Sequence, residues 1–113
     1  MDIQLYVALD VTDVPPVIVI PKHPEVESGN HRLTWSPIGG TTFTFASFDP
    51  KTTYPFSKVV VKSGEITANY LNRESKHEFP YVITVIVGRK KYKSAIINAD
   101  GSIRTGGSTI KNK

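Results

Sequence analysis

The chain has no cysteine, a single methionine at position 1 and a single tryptophan. It also has no apolar run approaching the ~18 residues needed to cross a bilayer as a helix. Without a thiol there is no disulfide framework, no thiolate nucleophile, no iron–sulfur cluster and no cysteine-ligated zinc or copper. The opening MDIQLYVALD lacks a basic segment followed by an apolar one, so no signal peptide is visible; the sequence leaves the localisation open, cytoplasmic if the chain is complete. Phosphate-cradling glycine motifs and the G-x-S-x-G nucleophile elbow are missing as well. Convincing helical periodicity is absent throughout. What remains, over 113 residues, is one soluble domain spanning 1–113, with 105–113 expected to fray.

Charge is present but unevenly placed. Residues 1–57 carry three Lys/Arg and six Asp/Glu, whereas residues 58–113 carry eleven and four. A basic second half is compatible with an anionic partner, and equally with a solvated surface in which strands from both halves interleave.

The apolar pattern is that of strands. In His31–Trp35 and Thr42–Ala46 every second residue is apolar or aromatic, as one buried sheet face requires. Val17–Ile20 is fenced by Pro15, Pro16 and Pro21, which cannot donate to a ladder. Lys58–Lys62 and Glu65–Leu71 flank a Ser63–Gly64 turn, and Tyr81–Val87 is apolar on both faces except for Thr84. Gly88–Arg89 turns that strand into Lys91–Ile97, and Asn98–Gly101 is a further turn in which Gly101 supplies a positive φ. Turn signals about every 8–12 residues predict an all-β fold, an antiparallel β-sandwich of about seven to eight strands. The expected core comprises Leu5, Val7, Val19, Leu33, Trp35 and Phe43, together with Phe45, Val59, Val61, Ile66, Val85 and Ile96.

The stretch Gly29–Phe45, a glycine, a strand ending in Thr-Trp, a polar loop and an aromatic strand, resembles the middle of cupredoxin-like domains. Phe79–Val87 is similar to their late strand. An immunoglobulin-like sandwich also carries a mid-sequence Trp. The resemblance implies the sandwich fold only. The blue-copper ligand set needs two His and a thiolate, and GRKKYKSAII follows Val87 where the ligand loop would stand. No cofactor and no metal are therefore expected.

His23, His31 and His77 share no tight ligand spacing, and the carboxylate pairs Asp10/Asp13 and Glu25/Glu27 lie in polar loops. Catalysis is not expected. Two clusters remain as candidate binding residues. In the basic hairpin, Arg89, Lys90, Lys91 and Lys93 surround Tyr92, a combination that protects a sheet edge or holds a phosphate backbone beside a stacked base. In the proline-bearing loop, Phe48, Tyr54 and Phe56 either plug the core or form a recognition platform. The expected function is non-catalytic binding or assembly through loops at one end of the sandwich, with another protein or a small ligand as partner. The alternative is a basic OB-like barrel for single-stranded nucleic acid, which is not favoured, and a third reading is a small hydrolase using loop carboxylates.

Overall fold

Alternation becomes two facing sheets in the computed structural model, which describes residues 2–39, 42–73 and 76–113. The sequence also reads as a turn at 36–41 and a polar loop at 72–78, and parts of both lie outside the described residues. The strands are β1 (Asp2–Leu9), β2 (Val17–Ile20), β3 (Glu25–Val26), β4 (Gly29–Pro37), β5 (Thr44–Pro50) and β6 (Phe56–Val61). They continue as β7 (Ile66–Asn72), β8 (Glu78–Val87), β9 (Lys90–Lys93), β10 (Ala95–Ile97), β11 (Ile103–Gly106) and β12 (Ser108–Asn112). No helix occurs among the described residues, so none is long and apolar enough to cross a membrane.

The first sheet has the order β2-β1-β4-β7-β6 and the second β3-β12-β8-β5, with β9 also paired to β8. Both end in strands with one partner, so the fold is two sheets and not one closed barrel. Among the described residues twelve short strands replace the seven or eight expected, and two of the pairings, β1 with β4 and β12 with β3, are parallel. Turn chemistry reveals which strands follow each other in sequence. It is silent on such distant pairings, which need a long connection: residues 10–28 between β1 and β4, and residues 27–107 between β3 and β12.

The inner faces meet in one aromatic-rich core. Leu5, Leu33, Trp35 and Ile66 come from the first sheet, and Phe45, Tyr81, Ile83 and Val85 from the second, all buried as their alternation demands. The Trp35 ring lies 5.0 Å from that of Phe48 and 5.4 Å from that of Tyr81. Its Nε1–H donates to the Tyr81 hydroxyl at 3.1 Å. A second bridge between the sheets runs from the Tyr70 hydroxyl to Asn112 Oδ1, and Asn72 Nδ2 donates to the carbonyls of Val26 and Glu27 at 3.0 and 2.9 Å. Each buried polar group in these bridges thus has a partner, without which its burial would cost free energy. Burial raises the pKa of both the Tyr70 and Tyr81 phenols above the ordinary tyrosine value, so they stay protonated at neutral pH.

Three expected core residues, Val59, Val61 and Ile96, lie outside the core. Val59 and Val61 are 39% and 38% exposed. Three consecutive valines carry no alternation to choose a face, and β6 is an edge strand whose register with β7 shifts between Ser57 and Val60. Lys58 sits at this irregularity with φ +49°. Ile96 is half-buried, because its strand leaves the sheet after Ser94. The residues expected to fray instead supply β12, with Ile110 fully buried between β3 and β8.

Candidate functional site

The departure of the chain at Ser94 leaves a cleft beside the second sheet. Ser94 N–H donates to the Ile83 carbonyl, and Ser94 Oγ accepts from the Ile83 N–H, both at 2.9 Å. The side chain thus substitutes for a ladder carbonyl, and the backbone is released from the edge of β8. β10 and β11 then form a separate two-stranded hairpin. The chain returns at Gly107, whose N–H donates to the Ser94 carbonyl at 2.8 Å, and β12 takes up the edge of β8 beyond β9.

The return requires glycine. Gly106 has φ +76°, and a Cβ there would lie 2.6 Å from Pro15 Cγ and 3.3 Å from the Ser94 carbonyl oxygen. Left-handed backbone at a non-glycine residue costs about 1–3 kcal/mol, and displacing the Pro15 ring adds to it. Gly106→Ala is expected to lower the melting temperature and to speed amide exchange at Gly107 while β4 and β7 keep their protection. Unchanged exchange at the hairpin base would contradict this anchoring role.

Between the hairpin and the outer face of the second sheet lies a cleft of about 620 Å³. Pro50, Pro80 and Val82 form its apolar floor, and the register pair Ile97 and Ile103 forms the hairpin wall. Those two isoleucines are 37% and 36% exposed. Asp49, Lys51 and Lys93 supply the charges of its lining. Lys93 stands opposite Thr84 in the β8–β9 ladder and donates from Nζ to Thr84 Oγ1 at 3.0 Å. Asp49 Oδ2 accepts from Ser47 Oγ at 2.9 Å, and Lys51 is exposed. The tip of the hairpin is braced by Asp100, whose Oδ1 accepts from the Ser102 N–H and hydroxyl at 3.0 and 2.6 Å. Those bonds lower the Asp100 pKa. Gly101 there has φ +89°, as its turn position demands.

No family model matches this chain, and no curated protein is significantly similar to it.

Of the residues singled out in the sequence, Phe48 and Phe56 are 8% and 4% exposed and pack edge-on in the core, 5.3 Å between ring centroids. They are core plugs and present no platform. Tyr54, 41% exposed, stands apart from them beside Phe79. In the basic hairpin, Lys91 and Lys93 alternate with Tyr92 along β9, and Tyr92 packs partly against the core. The ring therefore lies on the face opposite those two lysines. Lys90 Nζ stands 5.7 Å from the Tyr92 ring centroid, and Arg89 is exposed in the turn. Only Lys93 of these residues lines the cleft.

The histidines are engaged separately. His23 Nδ1 bonds Thr109 Oγ1, buried His31 bonds the Glu27 carbonyl through Nε2, and the His77 ring stacks near Phe79. No group of three potential metal-ligating side chains forms among the described residues. The loop carboxylates also have local roles. Asp10 caps its own turn through Thr12, Asp13 accepts from the Val14 N–H, and Glu25 and Glu27 pair with Lys111 and Lys113. Sequence reasoning placed the Asn98–Gly101 turn, but not the cleft. Its signal was two isoleucines flanking that turn on a hairpin with little else to cover it.

Proposed function

We propose that this chain is a non-catalytic binding domain whose recognition site is the cleft between the β10–β11 hairpin and the outer face of the second sheet. The supporting observation is the exposed Ile97–Ile103 pair held over the apolar floor of Pro50, Pro80 and Val82. A concave, mainly apolar site of this size with a few polar groups at its margin is what small-molecule ligands occupy. The catalytic reading finds less support, since the loop carboxylates are tied up in turns and ion pairs. The nucleic-acid reading finds less support because Tyr92 and the outward lysines occupy opposite faces of β9.

The test uses neutral apolar probes, indole and octan-1-ol, titrated into isotopically labelled protein. Shifts are expected at Val82, Ile97 and Ile103, and Ile103→Glu is expected to abolish them while leaving the near-ultraviolet circular dichroism unchanged. Shifts confined to other surfaces would refute the assignment of the cleft.

A further inference from the structure

We propose that the cleft is selective for a monoanionic amphiphile, an organic carboxylate with an apolar body. The proposal rests on the reading of the cleft as a binding site and specifies its ligand. The apolar body would lie between the Ile97–Ile103 wall and the floor of Pro50, Pro80 and Val82. Its carboxylate would meet the ammonium groups of Lys93 and Lys51.

Three observations carry the choice of charge. First, two cations and one carboxylate line the cleft, leaving a single positive charge to be matched. Second, Lys93 spends one of its three N–H donors on Thr84 Oγ1, which fixes the ammonium against the sheet and leaves two donors for a ligand. Third, Lys51 follows β5 on a backbone pinned by its own N–H to the Pro80 carbonyl at 3.0 Å, so its side chain starts from a fixed point at the cleft margin. A cationic head would face both lysines. A dianionic phosphate ester would leave a charge unmatched beside Asp49. Hydrogen bonds between ammonium and carboxylate are stronger than neutral ones, most of all beside apolar surface that excludes water.

The experiment compares octanoate, octan-1-ol, octylammonium and octyl phosphate by calorimetry and by amide shifts on the intact protein, at two salt concentrations. Octanoate is expected to bind at the cleft about fivefold or more tighter than octan-1-ol, with the difference shrinking at high salt. Octylammonium is expected not to bind, and octyl phosphate to bind no tighter than octanoate. Lys51→Gln and Lys93→Gln together should erase the preference for octanoate over octan-1-ol while leaving the near-ultraviolet circular dichroism unchanged, which separates lost charge from lost folding. Equal binding of octanoate and octan-1-ol would overturn the charge assignment and leave the cleft standing as a site. Tighter binding of octyl phosphate or octylammonium would also overturn it. Shifts outside the cleft for every member of the series would overturn the site and the ligand class together.

Discussion

Trp35→Ala is expected to leave the protein largely unfolded at room temperature. The side chain is fully buried, its ring touches Phe48 and Tyr81, and its Nε1–H donates to the Tyr81 hydroxyl. Large-to-small changes of buried aromatics cost about 3–5 kcal/mol, against a total stability of roughly 5–15 kcal/mol for a domain. The lost donor to a buried hydroxyl adds to the deficit. Trp35→Phe preserves most of the volume and should cost much less, since Ser108 still bonds Tyr81. Urea denaturation followed by circular dichroism measures both. As the chain's one tryptophan, Trp35 should emit in the native state at short wavelength, shielded from iodide. Loss of under about 1 kcal/mol in Trp35→Ala would be a surface-type effect and would refute the packing described.

A comparable loss is expected from removing residues 108–113. β12 sits between β3 and β8, and β3 has no other strand partner among the described residues. Ile110 is fully buried, and losing a side chain of that kind costs about 2–5 kcal/mol. Tyr70 would keep its hydroxyl buried without Asn112, for a further ~1–3 kcal/mol. The backbone bonds from Thr109 to Lys22, Lys111 to Pro24 and Lys113 to Val26 would go too. The shortened chain should show poor amide dispersion and no near-ultraviolet circular dichroism. Ile110→Ala in the full chain should fold but melt earlier. A well-dispersed spectrum from the shortened chain would show that β12 is dispensable.

Legibility followed the alternation. Leu33, Trp35 and Phe45 alternate with polar residues, so their inward direction could be read directly, and the all-β class with it. Val59 and Val61 could not be placed this way, because a run of three valines is compatible with either face and the irregularity at Lys58 has no residue signature. The segment 105–113 reads as polar, since only Ile110 in it is a large apolar residue. What holds it is backbone pairing and the Asn112 amide, which composition does not reveal. The cleft was harder still. It depends on Ser94 replacing a ladder carbonyl and on two successive positive-φ glycines, Gly106 and Gly107, returning the chain to β8. Phe48 and Phe56 show the same limit, since aromatics in a proline-bearing stretch read equally as core plugs or as a platform, and their burial between the sheets makes them core plugs.

The insertion of β12 between strands made much earlier sets a timetable for the nascent protein. The first sheet has all five strands once residue 72 has left the ribosome, with Leu5, Leu33 and Trp35 on a face that nothing yet covers. β3 must then wait for residues 111 and 112, its register partners. At about 5–20 residues per second, synthesis of the intervening chain takes several seconds. Through that interval the apolar face of the first sheet has no second sheet to cover it, and transiently exposed apolar surface of this kind favours aggregation.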